Sequence, residues 1–152
     1  MNEYKKIVVP VDGSILADLA YQKAKHYAEK NGSKLIVLNV VDTSSIEIYG
    51  LGFGVDINPA LAQSQILIAG YEKDLKESEV IFETIATVGN PKNEILEVVN
   101  EHKADAIFMG ASGVNALTRL LIGSTTEYII RHSPVDVISV KTHLDNQKRP
   151  TH

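Results

Sequence analysis

The C-terminal third of the chain carries a glycine pattern whose spacing suits a phosphate-binding loop. It reads G-x2-G-x9-G-S, and its residues are Gly110, Gly113, Gly123 and Ser124. Glycine permits positive φ and close approach of the backbone to a ligand. A helix that begins at the last glycine would present free N–H groups and a positive dipole end, which favour an anion. The pattern therefore predicts a phosphate site built mainly from the main chain.

Hydroxyl groups outnumber basic side chains around this pattern. Arg119 is the one basic residue between Gly110 and Glu127. It either reaches a phosphate or lies on the surface, where loop arginines are usually solvated. The phosphate oxygens are thus expected to meet main-chain N–H groups and the hydroxyls of Ser112, Ser124 and Thr125.

The same residues have a plainer interpretation, in which the glycines only shape turns. Ser124 and Glu127 have the spacing of a capping box, with Ser124 as the N-cap, and a capping box needs no ligand. Position favours the phosphate site. Both this segment and residues 10–14 follow strands that are expected to flank a crevice at the carboxyl edge of a sheet.

Residues 10–14, Pro-Val-Asp-Gly-Ser, supply the second candidate group. The carboxylate of Asp12 at the end of a strand can accept hydrogen bonds from ribose hydroxyls. Asp-Gly-Ser is also an ordinary turn in which Ser14 caps the next helix. The residues alone leave both interpretations of Asp12 open.

The elements that must position these segments alternate along the chain between apolar runs and periodic segments. Three-and-four spacing over Leu16, Leu19, Ala20, Ala24, Tyr27 and Ala28 predicts the first helix, which Gly32 ends. Later helices are predicted to start with Asn58 and Asn90 as N-caps before proline, and at Ser124. The apolar runs that predict strands are 7–11, 35–41, 81–88, 106–109 and 135–140.

This alternation predicts an α/β fold, a single doubly wound five-stranded parallel sheet with helices on both faces. The third strand ends in Gly89-Asn90-Pro91, without a cluster of donors, whereas the fourth runs into Gly110. A ligand crevice between the first and fourth strands is therefore favoured, and with it the order 3-2-1-4-5. Strands three and five are then edges, which agrees with their mixed composition.

Composition sets the remaining limits. The 152 residues include 44% hydrophobic and 22% charged residues, which predicts one globular domain over 1–141 with a polar tail over 142–152. The absence of cysteine excludes thiol catalysis and disulfide scaffolds. A net charge of −4 argues against nucleic acid and anionic membranes as partners. Short apolar runs argue against a membrane span, and a cytoplasmic location is expected.

Several nucleotide-handling and hydrolytic motifs are missing. A Walker P-loop needs a Gly-Lys dipeptide, which the sequence lacks. A nucleophile elbow needs G-x-S-x-G, but here Gly113 follows Ser112 directly. A response regulator needs an acceptor aspartate after strand three, where Gly89 stands instead.

Taken together, the chain resembles the universal stress proteins, in the branch that carries the ATP-binding G-x2-G-x9-G-(S/T) motif. The resemblance covers nearly the whole chain. It includes the opening Ile-Val-Val-Pro-Val-Asp-Gly-Ser, the Asn-Val-Val-Asp that ends the second strand, and the closing Arg-His-Ser-Pro-Val-Asp-Val-Ile-Ser-Val-Lys.

The resemblance implies a binding role for specific residues. Asp12 and the backbone of Val11 and of Val40 or Val41 would surround adenine and ribose, beside Pro10, Ser14 and Met109. The groups that would hold phosphates are Gly110, Ser112, Gly113, Gly123, Ser124 and Thr125, with Arg119 nearby. Many family members have a basic residue at the position of Ser112 and an apolar one at that of Thr125.

The resemblance also implies a function. It points to a stress-response regulatory protein that binds ATP or another adenine nucleotide, with Mg²⁺ or Mn²⁺, and that forms a homodimer through the fifth strand. A slow ATPase or phosphotransferase and a nucleotide-independent protein-interaction module are the alternatives. The glycine-rich loop over 42–58 would either fold over the nucleotide or serve as a plain connection.

Overall fold

The structure, a computed structural model, describes residues 3–44, 54–113 and 122–141. Its strands are β1 (Lys6–Pro10), β2 (Lys34–Asp42), β3 (Ile81–Gly89), β4 (Ala106–Gly110) and β5 (Asp136–Val140). Its helices are α1 (Ile15–Asn31), α2 (Asn58–Lys76), α3 (Pro91–His102) and α4 (Ser124–His132). No helix in these ranges is long and apolar enough to cross a membrane.

The five strands form one parallel sheet in the order β3-β2-β1-β4-β5. This confirms the predicted fold class and strand order. β1 lies at the centre and pairs with β2 from Lys6 opposite Lys34 to Pro10 opposite Leu38. It also pairs with β4, with Ile7 opposite Ala106. β3 and β5 are the edges, and most of their side chains remain partly exposed.

Helices cover both faces of the sheet because its central strands are apolar on both sides. One cluster joins alternate strand residues such as Val9 and Val37 to α1 and α2 through Tyr21 and Tyr71. The other joins Val8 and Leu38 to α3 and α4, where Ile95 and Ile129 are buried. Since successive strand residues point to opposite faces, a continuous apolar run supplies both clusters.

Two of the four predicted N-caps hold. Ser14 caps α1 by accepting from the Ala17 N–H at 3.2 Å, and Asn90 caps α3 by accepting from the Lys92 N–H at 3.1 Å. Gly32 ends α1 in the left-handed region, with φ of 68°, as predicted.

The other two predicted N-caps are wrong by one residue. Ile57 precedes α2, so Asn58 is its first helical residue, and Gly123 rather than Ser124 precedes α4. Neither helix has a side-chain cap, so the predicted capping box does not form. The Glu127 N–H bonds instead to the Gly123 carbonyl at 2.9 Å, which starts the helix one residue early.

Candidate functional site

A cavity of about 450 Å³ opens at the carboxyl ends of β1, β2 and β4, between α3 and α4. Its size lies within the usual range of ligand sites, about 300 to 1,000 Å³. It lies between β1 and β4, where the connections that leave these two neighbouring strands run in opposite directions. Ligands bind at this place in sheets of this order.

Most of the residues predicted to bind a ligand line this cavity. They are Pro10, Val11, Asp12, Val40, Met109, Gly110, Ser112, Gly113, Gly123, Ser124 and Thr125. Two segments far apart in the sequence are thereby brought to one place. The parallel register explains this convergence, because every parallel strand ends at the same edge of the sheet.

Of the predicted residues that the structure describes, two are absent from the lining, Val41 and Ser14. The Ser14 hydroxyl caps α1. Arg119 lies outside the described residues, as do residues 45–53 of the glycine-rich loop and the tail from residue 142.

Six lining residues were not predicted: Leu38, Asn39, Asp42, Pro91, Ile95 and Thr126. Pro91 carried a signal, because it begins the helix that follows β3. Thr126 is buried, and its hydroxyl donates to the Gly110 carbonyl at 2.8 Å. This bond ties the first turn of α4 to the end of β4.

At the end of β1, the main-chain groups of Val11 are both engaged within the protein. Its N–H donates to the Leu38 carbonyl at 2.8 Å, and its carbonyl accepts from Asn39 Nδ2 at 2.7 Å. Val11 is therefore expected to contact a ligand chiefly through its side chain and Cα. The polar groups of Val40 differ in this respect.

Val40 presents a main-chain N–H and C=O at the edge of the cavity that have no partner among the described residues. Leu38 directs its carbonyl toward β1, and backbone groups two residues apart on a strand point the same way. The N–H and C=O of Val40 therefore point toward β1, but the pairing of β1 with β2 ends at Pro10 opposite Leu38. Within the described part of the chain, no hydrogen bond reaches either group of Val40.

The opposite wall contains the start of α4. The first four N–H groups of a helix, counted from the N-cap, have no partner inside it, and three of them follow the N-cap. In α4 these belong to Ser124, Thr125 and Thr126, and all three residues line the cavity. The N–H of Gly123 itself donates to the Ala111 carbonyl at 2.8 Å, which holds the helix end in place.

The three motif glycines have different steric roles. A Cβ at Gly110 would lie 2.8 Å from the Leu16 carbonyl carbon, so this glycine permits α1 to pack on β4. A Cβ at Gly123 would lie 3.1 Å from the Ser112 Cα. At Gly113 it would lie 2.6 Å from Oδ2 of Asp12. Gly113 is therefore the glycine that couples the motif to the aspartate after β1.

The cavity lining carries negative rather than positive side chains. Asp12 and Asp42 line it, and no Lys or Arg among the described residues does. One oxygen of each aspartate accepts from a nearby main-chain N–H, that of Ser14 at 3.0 Å and that of Ser44 at 2.9 Å. Among the described residues, positive potential at this site comes from the helix N-terminus and main-chain N–H groups. The described residues bring together no set of three or more acidic, histidine or cysteine side chains able to hold a metal ion.

Comparison with known proteins matches residues 3–141 to the model of the Universal stress protein family. The chain belongs to the universal stress protein family. A relative from Staphylococcus saprophyticus, SSP1056, is 39% identical over 147 residues, which are 93% of this chain and 86% of that protein.

Solved structures share the fold. Hypothetical protein MJ0577 superposes with a TM-score of 0.82 at 28% identity, covering 93% of this chain and 98% of that one. The universal stress protein UspA from Lactobacillus plantarum gives a TM-score of 0.71 at 30% identity, and the match covers 93% of this chain and 100% of that one.

Two more distant structures contain nucleotides. One universal stress protein was solved in complex with cAMP, with a TM-score of 0.65 and 24% identity over 92% of this chain and 98% of that one. Another, from Archaeoglobus fulgidus, was solved in complex with dAMP. It gives a TM-score of 0.68 at 21% identity, and the match covers 92% of this chain and 100% of that one. At these identities the likeness concerns the fold.

Proposed function

We propose that this universal stress protein binds an adenine nucleotide, with ATP as the expected form, in the cleft at the ends of β1, β2 and β4. Binding would make it a nucleotide-dependent regulator of the stress response. The unpaired N–H and C=O of Val40 are the observation that carries the proposal, because they lie in a cleft that also receives the free N–H groups of α4.

The Val40 groups suit the edge of adenine. Adenine presents the N1 acceptor beside the 6-amino donor, which match a main-chain N–H and C=O. The same edge of guanine presents the N1–H donor and the O6 acceptor in the reverse order. Leu38, Ile95 and Met109 supply apolar walls for a planar base. Adenine is therefore favoured over guanine.

Asp12 suits the ribose. Its Oδ1 accepts from the Ser14 N–H, and no described residue hydrogen-bonds its Oδ2. That second oxygen is exposed at the cleft and can accept from a ribose hydroxyl. A Cβ at Gly113 would lie 2.6 Å from this oxygen, so glycine at this position leaves the oxygen accessible.

The start of α4 suits the phosphates. The N–H groups and hydroxyls of Ser124 and Thr125, with Ser112 beside Gly123, supply donors without a lysine. Because two aspartates and no described basic side chain line the cleft, a triphosphate would bring its own Mg²⁺ or Mn²⁺ to offset its charge.

The protein would act as a homodimer paired through β5. The Ala111 N–H donates to the Val140 carbonyl at 2.9 Å, so even-numbered residues of β5 face β4. The N–H groups of Val137 and Ser139 then point outward from the sheet. The Ser139 hydroxyl is buried without a hydrogen-bond partner among the described residues. A second copy at this edge would pair the outward groups.

Calorimetry tests the nucleotide proposal. Purified protein is denatured and the released small molecules are identified by mass spectrometry, after which nucleotide-free protein is titrated with AMP, ADP, ATP and GTP, with and without Mg²⁺. We expect adenine nucleotides to bind, ATP to gain affinity from Mg²⁺, and GTP to bind more weakly. Absence of both released nucleotide and binding heat would contradict the proposal.

A further inference from the structure

The point where β1 separates from β2 is closed by a side chain. In a regular parallel ladder, a residue donates its N–H to one neighbour-strand residue and accepts at its carbonyl from the residue two places further on. Leu38 accepts from the Val11 N–H. The next ladder bond would run from the Val40 N–H to the Val11 carbonyl.

Asn39 occupies that acceptor instead. Its Nδ2 lies 2.7 Å from the Val11 carbonyl oxygen. Beyond Val11 the chain turns through Gly13, at φ of 85°, into α1, so β1 offers Val40 no further partner. The side-chain amide thus satisfies the first carbonyl after β1, that of Val11, and the Val40 N–H keeps no strand partner.

Ser64 of α2 sets the orientation of this amide. Its hydroxyl donates to Asn39 Oδ1 at 2.6 Å, which leaves Nδ2 to face Val11. Asn39 and Ser64 are only 7% and 5% exposed, so water does not compete for these bonds. These two hydrogen bonds connect Ser64 of α2, through Asn39 of β2, to Val11 at the edge of the cleft.

We infer that Asn39, oriented by Ser64, is a positioning residue that holds the Val11 carbonyl and thereby keeps the N–H of Val40 free to recognise a base. Asn39 acts through Val40 and needs no contact with the ligand itself. The arrangement of the strands stands without a ligand, whereas its use in recognition rests on the proposed function.

Amide hydrogen exchange in nucleotide-free protein tests the arrangement directly. In the wild type we expect the Val40 N–H to exchange on the order of tenfold faster than that of Leu38, because a main-chain hydrogen bond is missing. In Asn39→Leu the Val11 carbonyl loses its donor, so the Val40 N–H should close onto it and exchange more slowly. Ser64→Ala frees the amide to turn and should slow Val40 exchange to a smaller degree.

Nucleotide titration tests the use of the arrangement. We expect Asn39→Leu to weaken AMP binding about tenfold and Ser64→Ala to weaken it less. The matched control is Ser33→Ala. The Ser33 hydroxyl is buried and donates to the Tyr4 carbonyl at 2.6 Å. This bond lies before the amino-terminal ends of β1 and β2, away from the cleft. This variant should lose similar stability and keep its AMP affinity.

The outcomes separate the two claims. Slow Val40 exchange in the wild type, or exchange unchanged in both variants, overturns the inference whether or not nucleotide binds. If Asn39→Leu does not fold, Ser64→Ala carries the exchange test alone. Failure of the wild type to bind any adenine nucleotide contradicts the proposed function, and the exchange result then stands as a separate test of the strand arrangement. Equal loss of AMP affinity in Ser33→Ala would assign the effect to stability and overturn the positioning role.

Discussion

At Gly113, one missing methyl group separates the glycine motif from the aspartate after β1. A Cβ there would lie 2.6 Å from Asp12 Oδ2, closer than real Cβ contacts. In Gly113→Ala the carboxylate must move, and the oxygen proposed for the ribose moves with it. We expect AMP affinity to fall about tenfold by calorimetry while the melting temperature changes little.

The control for this variant is Gly70→Ala. Gly70 lies on the exposed side of α2, and a Cβ there meets nothing within 4 Å. The same chemical change should leave AMP affinity unchanged and raise stability by up to about 1 kcal/mol, because alanine favours the helix. AMP affinity that is equal in Gly113→Ala and the wild type would remove Asp12 and Gly113 from the proposed site.

Single residues of the site differ in how far the sequence predicts them. Asp12 and the glycine motif are recognisable because their types and spacing are unusual. The choice between Val40 and Val41 depends on which way a strand residue points, and pattern alone did not settle it. The role of Asn39 could not be predicted, because its partners Val11 and Ser64 lie 28 and 25 residues away in the sequence.

Among the elements, α1 and α2 are joined by polar bonds on the side of the sheet away from the cleft. Tyr21 donates to Asp74 at 2.5 Å, and Lys25 donates to the same oxygen at 2.9 Å. These bonds, the tyrosine first, lower the pKa of Asp74 from its ordinary value of 3.8. Burial raises the pKa of Tyr21, so its hydroxyl stays protonated and donates.

This carboxylate should make stability depend on pH. Because its folded pKa is lowered, its contribution is present above pH 3.8 and is lost as pH falls through the folded pKa. In urea denaturation, wild type should exceed Asp74→Asn in unfolding free energy at about pH 7, and the difference should shrink toward about pH 3. Tyr21→Phe should reduce the pH-dependent part. A constant difference across this range would show that Asp74 is not stabilised as an anion.

Substitutions in the edge strand β5 test the proposed dimer. Proline removes one N–H, and at Ser139 that N–H points outward rather than toward β4. We expect Ser139→Pro to preserve the fold and to convert the dimer to a monomer in sedimentation velocity. Ile138→Pro removes an inward N–H and should destabilise the sheet as well. A wild type that sediments as a monomer would contradict pairing through β5.

Helix starts and helix faces were harder to predict than the elements themselves. The sequence assigned Ser124 as an N-cap because serine and glutamate have capping spacing, but the Gly110 carbonyl and the Ala111 carbonyl hold α4 one residue earlier. On α1 the predicted stripe omitted Tyr21, which is buried against Tyr71 of α2, with ring centroids 4.4 Å apart. Tertiary contacts decided both cases.

For the whole molecule, alternation of apolar runs with periodic segments was enough to predict the parallel sheet, and the residues that follow strands three and four selected its order. Parallel strands that are buried on both faces leave few alternatives, and the glycine cluster after β4 selected the crevice. The same topology brings residues 10–12 and 109–113 together and turns the start of α4 toward them. The contribution of Ile95 to the cavity could not be predicted, since it depends on how α3 packs.

A crystal structure of the protein with ATP and Mg²⁺ tests the central claim most directly. We expect the adenine N1 and 6-amino group to bond to the N–H and C=O of Val40, and the phosphates to meet the first turn of α4. A nucleotide bound elsewhere, or a cleft that stays empty at a saturating ATP concentration, would contradict it.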